Sequence, residues 1–319
     1  MEFTVSKADL VRELNLSQGV VEKKTTIPIL SNILMEAKGG RVILTATDLE
    51  LGIRCSCAAK VKKEGAGTVP AKKLLDFVRL LPDTDITIKF LENHWANITC
   101  GRSRTKMAGM SRESFPELPA MPEATNQIPV GVLSSMIAKT IFAISMEESR
   151  FTLNGALLVI RPEGVVMVST DGHRLAYVES TTQTGEENKP FRALVPRKAM
   201  AEILKLSQDG DAEAKAVISG DDNHLFFQFG ERLLITRKLT GNFPDYERVL
   251  PKDHTQVVTL QRDEIKSAVE RVSQFADERS RAIRVQFGPG EVKVFTSSVE
   301  TGESEESVPA TYAGPDIDI

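Results

Sequence analysis

The sequence predicts an α+β fold in which repeated modules each carry two helices packed on antiparallel sheets. The first observation is an internal repeat, since residues 30–48 (LSNILMEAKGGRVILTATD) align without a gap with residues 153–171 (LNGALLVIRPEGVVMVSTD). The second is a pair of short motifs that return in order: VPAK at 69–72 as VPRK at 195–198, and FPE at 115–117 as FPD at 243–245. The offsets are 123, 126 and 128 residues, so the modules are about 125 residues long.

A third copy of the module begins after residue 253. Its clearest trace is Val292–Thr296, which lies 127 residues after Val165–Ser169. We therefore predict three domains, at residues 1–125, 126–253 and 254–319. The third has no counterpart of the VP or FP motif, which predicts a chain truncated within this domain. Such a half-module would be only marginally stable, and we expect it to weaken any assembly that depends on it.

Each module has the same predicted elements. Apolar residues recur at helical spacing after each VP motif, in Lys72–Leu81 and Lys198–Leu206, and the proline fits the first helical turn. A further helix opens each module, at Lys7–Leu16, Val132–Ile144 and Arg262–Phe275. Alternating runs such as Ile86–Phe90 and Leu225–Phe229 predict strands between the helices.

The composition is that of a soluble globular protein, with 41% hydrophobic and 26% charged residues. No apolar run approaches the ~18 residues that span a bilayer, and the N-terminus lacks a secretory signal pattern, so a cytoplasmic protein is expected. Lys and Arg number 40 against 44 Asp and Glu, which gives a net charge of −4. Because DNA-binding proteins commonly carry a net positive charge, DNA binding here requires basic residues gathered on one surface.

The sequence has three cysteines, Cys55, Cys57 and Cys100. So small a number, which is also odd, argues against a disulfide framework. Cys55 and Cys57 would share one face of a strand. A metal site there would need two more ligands, and only His94 lies near in the sequence, so buried, inert thiols are favoured. We predict no metal and no cofactor.

The segment Thr170–Leu175 is the strongest candidate for chemistry, since Asp171 and His173 could act as an acid–base pair. The alternative is a strand end followed by a glycine-supported turn. The sequence has no nucleophile elbow, no HExxH motif and no phosphate-binding loop. The stretch Gly65–Gly67 lacks the further glycines of such a loop and is predicted to be a flexible hairpin loop. We therefore predict no catalytic residue.

The two VP helices share a basic character. The first carries three basic residues and one acid, and so does the second: Lys72, Lys73, Arg79 with Asp76, and Arg197, Lys198, Lys205 with Glu202. A single helix with this charge pattern would indicate only a solvent-exposed helix face. Because the pattern recurs at the same position of both modules, it favours a continuous basic surface. Such a surface suffices for sequence-neutral binding to a nucleic-acid backbone.

An acidic tract follows in the third module. It consists of Glu300, Glu303, Glu305 and Glu306, and we expect it beside Arg271 and Phe275. Such a tract is typical of a solvated edge, and an interface with a basic patch is the alternative.

The motifs TDGHRLA (170–176), LNGAL (153–157), VPRK (195–198) and NFPDYERVLP (242–251) together resemble the β subunit of bacterial DNA polymerase III, the β sliding clamp family. The resemblance runs from Met1 to Ile319 and includes TIPIL (26–30) and GRSR (101–104). It implies three similar domains per protomer and a ring of two protomers that encircles duplex DNA. It further implies a non-catalytic processivity factor that tethers the replicative polymerase. A ring holds DNA by topology, so a net acidic charge is tolerable.

The resemblance also implies a groove, between the second and third domains, that receives short peptides from polymerases and the clamp loader. Carried over by motif, its residues are Leu153, Thr170, Gly172, His173, Arg174, Leu175, Pro244, Arg248 and Val249. The family groove also uses residues from the extreme C-terminus, which have no match in this sequence.

Two further surfaces follow from the resemblance. The positions that match the family's DNA-facing residues are Lys24, Lys72, Arg197 and Lys198. The dimer interface would join the first domain of one protomer, through Lys73, Thr105 and Met107, to the third domain of the next, through Gln274, Phe275, Glu300, Glu303, Glu305 and Glu306. Thr105 and Gln274 replace larger apolar residues common in the family.

Two other functions compete with this interpretation. A nuclease would need a metal-binding cluster of carboxylates, and the sequence suggests none. A peptide-binding scaffold built from the same modules would not load on circular DNA.

Overall fold

The computed structural model describes residues 1–21, 26–123, 126–147, 149–181, 189–208 and 211–319. They form two compact units, Met1–Phe243 and Pro244–Ile319. The first unit contains both copies of the repeat, and the division between the units falls inside the second FP motif.

The first module alternates one helix with a group of strands, twice. Ser6 caps the first helix, because its hydroxyl accepts a hydrogen bond from the Asp9 N–H. The elements are β1 (Glu2–Ser6), α1 (Lys7–Ser17), β2 (Asn32–Lys38), β3 (Arg41–Thr47), β4 (Leu51–Ala58), β5 (Lys60–Lys63), β6 (Gly65–Pro70), α2 (Ala71–Leu80), β7 (Asp85–Phe90), β8 (Trp95–Cys100) and β9 (Ser103–Ala108).

The second module repeats this order, with no described counterpart of β5. Its elements are β10 (Asn126–Pro129), α3 (Val130–Thr140), β11 (Gly155–Arg161), β12 (Gly164–Thr170), β13 (Leu175–Ser180), β14 (Phe191–Pro196), α4 (Arg197–Leu206), β15 (Lys215–Gly220), β16 (His224–Phe229) and β17 (Arg232–Arg237). The predicted helix 132–144 ends earlier than expected, at Thr140, where a 3₁₀ turn (Ile141–Ala143) follows.

The second unit starts with the same strand–helix pair. It contains β18 (Thr259–Leu260), α5 (Arg262–Val272), β19 (Arg284–Gly288), β20 (Glu291–Ser298), β21 (Gly302–Thr311) and β22 (Ile317–Asp318). The strands form one antiparallel sheet in the order β18-β21-β20-β19-β22. The predicted helix 262–275 again ends in a 3₁₀ turn, Ser273–Phe275.

Three antiparallel sheets are described in the first unit. Their strand orders are β5-β1-β7-β8-β9, β10-β15-β16-β17-β4-β3-β2-β6, and β13-β12-β11-β14. The eight-stranded sheet contains strands of both modules, because β17 of the second pairs with β4 of the first, for example Leu234 opposite Ile53. The repeat in the sequence does not predict this shared sheet.

A buried ion pair supports the same junction. The Glu13 side chain on α1 is only 2% exposed, and it accepts two hydrogen bonds from the Arg232 guanidinium on β17, at 2.9 and 3.1 Å. Removing Glu13 would take this carboxylate from the largely buried Arg232 and should cost about 3–5 kcal/mol, whereas removing Arg232 leaves Glu13 still paired with Arg12 at 2.8 Å.

The helices of the first unit pack in the order α2, α1, α4, α3. Leu74 and Val78 of α2 and Met200 and Ile203 of α4 are fully buried or nearly so. Burial of each such side chain contributes about 1.5–3 kcal/mol. The opposite, polar sides of these helices consequently face away from the core.

The structure corrects two local predictions. Residues 65–67 are not a flexible loop, because they begin strand β6, where Gly67 pairs with Met35. A Cβ on Gly67 would lie 2.2 Å from a ring carbon of Phe90, so the glycine permits close packing. The prolines of the VP motifs are N-cap residues, one position before the first helical turn.

Candidate functional site

The turn between β12 and β13 carries most of the predicted groove residues of the first unit. The Thr170 hydroxyl accepts a hydrogen bond from the Gly172 N–H (3.0 Å) and donates one to the Arg174 carbonyl (2.7 Å). One Asp171 oxygen accepts the N–H groups of His173 and Arg174, both at 3.0 Å. Gly172 has φ = 89°, which glycine adopts without a steric cost. The turn is therefore fixed by its own side chains.

Asp171 also orients the arginine of the turn. Hydrogen bonds from the backbone N–H groups of Arg174 and His173 hold the pKa of Asp171 below its usual value. Its second oxygen accepts a hydrogen bond from Arg174 Nε at 3.0 Å. The Arg174 guanidinium carbon lies 5.7 Å from the centre of the Phe142 ring, within range of a cation–π interaction. Arg174 is thus held in place while its side chain stays 59% exposed.

Leu153 is connected to this turn through Arg150. Leu153 is half-buried and closes a 3₁₀ turn (Phe151–Leu153), and its N–H donates to the Arg150 carbonyl at 2.8 Å. The Arg150 Nη1 donates to the Asp171 carbonyl at 2.9 Å. Leu175, also half-buried, begins β13 at the end of the turn. The structure therefore brings together the predicted groove residues of the first unit.

The sequence analysis missed a cluster of exposed side chains on the segment before Leu153. Phe142, Met146 and Phe151 are 54%, 74% and 69% exposed, and Phe142 contacts Arg174. Single exposed apolar residues are common, but here one lies beside the turn and two more follow it within ten positions of the chain. The sequence did contain a signal for this surface, because the apolar pattern of the helix ends at Thr140, whereas the predicted helix continued to Ile144.

The remaining residues that the sequence predicts for the groove belong to the second unit. Pro244, Arg248 and Val249 are all exposed, Val249 to 67%. Arg248 closes a 3₁₀ turn (Tyr246–Arg248), and its Nε lies 2.7 Å from an Asp245 oxygen. In both units an aspartate three residues before an arginine holds the guanidinium.

The helices of the first unit present a basic surface. All residues of α1, α2, α3 and α4 are described, and eight of the nine exposed charged residues among them are basic: Arg12, Lys72, Lys73, Arg79, Lys139, Arg197, Lys198 and Lys205, against Asp76. Their acids Glu13 and Glu202 are buried. In a chain with a net charge of −4, this separation of charge matches what the sequence analysis required of a DNA-binding surface.

The predicted DNA-facing residues differ in their local partners. Lys72 makes an exposed ion pair with Asp76 at 3.4 Å, which contributes little to stability. Arg197 and Lys198 begin α4, and Lys198 pairs with Asp48 of the first module. Lys24 lies outside the described residues.

The first-unit residues predicted at the dimer interface lie on α2 and β9. Lys73 is exposed. Thr105 is half-buried, and Met107 is 4% exposed and packs in the core of its own unit. β9 pairs only with β8 among the described strands, so its other backbone edge is open, with Arg104 and Lys106 exposed along it.

The second-unit residues divide into two groups. Gln274 and Phe275 are exposed on the 3₁₀ turn after α5, and the Phe275 carbonyl accepts the Thr301 hydroxyl at 2.7 Å. Glu306 pairs with Arg271, with two contacts of 2.5 Å. Strand alternation places Glu303 and Glu305 on the other face of β21, so the acidic tract is not one continuous patch.

The cysteines are buried and free. Burial raises the pKa of Cys57 to about 12 and raises the pKa of Cys55 as well, so both remain thiols at neutral pH. Within the described ranges, no group of His, Cys, Asp and Glu could hold a metal ion. None of the described helices has the length and apolarity needed to cross a membrane.

Tandem modules, a basic layer of helices and a pre-ordered surface turn are the features of the DNA-clamp class of proteins. The family models for the DNA polymerase III β subunit match in order: the N-terminal domain at residues 1–119, the central domain at 127–245 and the C-terminal domain at 247–319. The chain belongs to this family, and it is a DNA sliding clamp. Members of the family are non-catalytic processivity factors of DNA polymerase III.

Individual relatives support the same family assignment. The chain is similar to the β sliding clamp of Chlamydia pneumoniae, with 33% identity over all of this chain and 86% of the relative. It is 35% identical to that of Caulobacter vibrioides, over all of this chain and 87% of the relative. The solved β subunit from Pseudomonas aeruginosa superposes with a TM-score of 0.91 at 32% identity, covering 100% of this chain and 87% of that one. A Bartonella birtlesii clamp bound to griselimycin gives 0.91 at 33% identity, covering 100% and 86%.

Proposed function

We propose that this clamp directs its basic helix layer at duplex DNA and uses the turn at 170–175 to bind short linear peptides of the replicative polymerase and the clamp loader. We further propose that two chains form a homodimeric ring in the cytoplasm, and that residues 1–125, 126–253 and 254–319 are its three domains. The observation that carries the DNA assignment is the helix layer, where eight of nine exposed charges are basic. Lys24, Lys72, Arg197 and Lys198 are the proposed DNA-facing residues.

The peptide site combines fixed donors with apolar contacts. Arg174 is held by Asp171 and lies over the exposed ring of Phe142, so it donates hydrogen bonds without first being ordered. Leu153 and Leu175 are half-buried and offer apolar surface next to it. His173 is exposed at the rim, and Thr170 and Gly172 fix the backbone. We propose Pro244, Arg248 and Val249 as further members of this site, on the strength of the motif they share with the family.

We expect the bound peptide to carry a glutamine and one or two bulky apolar residues, because the site offers donors beside apolar walls. Burial of one such side chain contributes about 1.5–3 kcal/mol. With only one or two anchors, a short peptide should bind with a dissociation constant of about 1 μM or weaker.

Titration of such a peptide against variants of the full chain tests the site. Leu175→Asp should weaken binding at least about tenfold, because the apolar anchor would meet a carboxylate that loses its water. Arg174→Ala should also weaken it, and since Arg174 is largely exposed, that variant should keep the fold. Leu49→Asp is the matched control, because Leu49 occupies the equivalent turn of the first module and is 51% exposed. Equal affinity in all four proteins would place the site elsewhere.

The dimer would form through strand edges of opposite charge. The open edge of β9 carries Arg104 and Lys106. β21 carries Glu303 and Glu305 on the part of its edge that β18 does not cover, since β18 pairs only with Ala310 and Thr311. The pairing of β4 with β17 inside the chain is a template for such a junction between modules. Lys73, Thr105, Gln274, Phe275, Glu300 and Glu306 would lie around it. Met107 would contribute through its backbone, because its side chain is already buried.

Charge reversal distinguishes this interface from others. A Glu303→Lys, Glu305→Lys variant should dimerise at least about tenfold more weakly in sedimentation experiments, since like charges would face each other across paired strands. Adding Arg104→Glu and Lys106→Glu to the same chain should restore much of the affinity. A fourfold variant no tighter than the double variant would contradict the pairing.

A further inference from the structure

The first module contains a cleft on the face of the eight-stranded sheet that lies opposite the helices. Its volume is about 600 Å³, which is within the range of small-ligand sites. The floor is a row of directly paired residues on three strands, Leu34 on β2, Thr45 on β3 and Arg54 on β4. The wall is the segment after β9, which includes Arg112 and Leu118.

The wall is firmly attached to the sheet. Phe115 is 6% exposed and packs with Ile29, Leu30 and Leu34. Leu118 lies over Gly52, where an added Cβ would come within 2.9 Å of a Leu118 methyl carbon. Arg112 donates to Glu36 at 3.1 Å. The cleft is therefore preformed and keeps its shape without a ligand.

Two polar groups on the floor have unused hydrogen-bonding capacity. Thr45 is 3% exposed, and its hydroxyl has no hydrogen-bond partner among the described residues. Arg54, its direct neighbour across the strands, is half-buried, and its guanidinium makes no ion pair or hydrogen bond with any part of the chain that the structure describes. A buried polar group without a partner is destabilising, so its retention points to a ligand.

The second module provides an internal control for this argument. The residues at the matching positions are Leu157, Val168 and Tyr177, which pair across β11, β12 and β13 in the same way. Leu157 and Val168 are buried and apolar. The fold therefore does not require a threonine and an arginine in this row.

The charges around the cleft specify what it would accept. The floor offers the guanidinium of Arg54 beside Thr45, its direct neighbour across the strands. Glu113 and Glu117 are exposed at the rim. A ligand that matches both has a carboxylate at one end and a basic group a short distance away, with apolar atoms between them against Leu34 and Leu118.

We propose that this cleft is a second ligand site of the clamp, which binds a short peptide segment through a carboxylate on Arg54 and Thr45 and a basic residue at the glutamate rim. It is separate from the turn at 170–175 and does not depend on that site. A clamp with both sites would hold a second, chemically different segment on the opposite face of the sheet from its DNA-facing helices.

The test uses the full chain with three probes, observed through the methyl NMR signals of Leu34 and Leu118. The first is N-acetylated Lys-Leu-Leu with a free C-terminal carboxylate, and the second is N-acetylated, C-amidated Lys-Leu-Glu. The third is N-acetylated, C-amidated Lys-Leu-Gln, which has no carboxylate. We expect saturable shifts with at least one of the first two and at least tenfold weaker binding of the third. The stronger of the first two identifies a terminal or a side-chain carboxylate.

Variants then assign the contacts. Arg54→Gln should weaken the carboxylate probes at least tenfold, and Thr45→Val should weaken them without loss of fold, because valine occupies the matching position of the second module. Arg41→Met is the matched control: it removes an arginine from the same sheet that already bonds Ser56. Leu175→Asp should leave this binding unchanged. Absence of saturable shifts, equal binding of the amide probe, or unaltered affinity in Arg54→Gln would overturn the proposal.

Discussion

The turns at residues 47–51 and 170–174 have the same backbone and different uses. In each, a threonine hydroxyl bonds the N–H two residues later and the carbonyl four residues later. In each, one oxygen of the following aspartate accepts two backbone N–H groups. The second aspartate oxygen differs, because that of Asp48 pairs with Lys198 of the other module and that of Asp171 pairs with Arg174 of its own turn.

That difference separates a turn that joins two modules from the turn of the proposed peptide site. The Asp48 side chain is 4% exposed, because α4 covers it and the first turn thereby becomes part of the junction between modules. The Asp171 side chain is 21% exposed, and it holds an arginine that extends over Phe142 toward solvent. One repeated sequence motif, Thr-Asp, thus supports a joint in one module and a candidate peptide site in the other.

Replacing the aspartate of each turn should give the largest difference in stability between the two turns. Asp48→Ala should lower the free energy of unfolding by about 2–3 kcal/mol, since it deletes two buried acceptors and leaves Lys198 without its partner. Asp171→Ala should cost only about 1 kcal/mol, because water can replace the lost bonds at the more exposed turn. Urea unfolding of the full chain measures both. Asp76→Ala, on an exposed helix face, is the control and should change stability by less than about 0.5 kcal/mol.

The same two variants should have the opposite order of effect on peptide binding. Asp171→Ala frees Arg174 and should weaken the peptide, whereas Asp48→Ala should not. If both aspartates cost the same stability and the same affinity, the distinction between a structural turn and a binding turn is wrong.

A smaller effect is expected at the third position of each turn. Gly172 has φ = 89° and Leu49 has φ = 79°, so a leucine in the first module holds the left-handed conformation that glycine has in the second. Gly172→Ala should destabilise by about 1 kcal/mol, because a Cβ is disfavoured there. Leu49→Gly should change stability by less than about 0.5 kcal/mol, since relief of strain offsets the greater freedom of the unfolded chain. Thermal or urea unfolding of the two variants gives the comparison, and a large loss in Leu49→Gly would show that its side chain has a packing role.

The internal repeat made much of the fold predictable. The positions of α1, α2, α4 and the strands around them followed from apolar periodicity and the repeated VP motif, and the Thr-Asp turn followed from the gapless alignment. The pairing of β4 with β17 could not be predicted, because backbone hydrogen bonds between strands so far apart in the chain leave no motif. Gly65–Gly67 was misjudged because a glycine that accommodates Phe90 looks the same in sequence as one in a loop.

The candidate sites were predictable only in part. Motif matching pointed to Thr170–Leu175. Arg150 and Phe142 could not be predicted, because their contacts with the Asp171 carbonyl and the Arg174 guanidinium form only in the folded chain. The link between Lys198 and Asp48 likewise joins residues 150 positions apart. The cleft at Thr45 and Arg54 had no sequence signal, since neither residue type is unusual in a strand.

The edge of strand β4 that pairs with β17 must remain unpaired while the chain is being synthesised. Ile53 and its partner Leu234 are separated by more than half of the chain, so β4 leaves the ribosome long before β17 exists. At a translation rate of about 5–20 residues per second, that edge waits unpaired for on the order of ten seconds or more. An unpaired apolar strand is a site for aggregation, and a charged residue on such an edge discourages it. Arg54, which later lies opposite Leu233, places a charge on this edge during that interval.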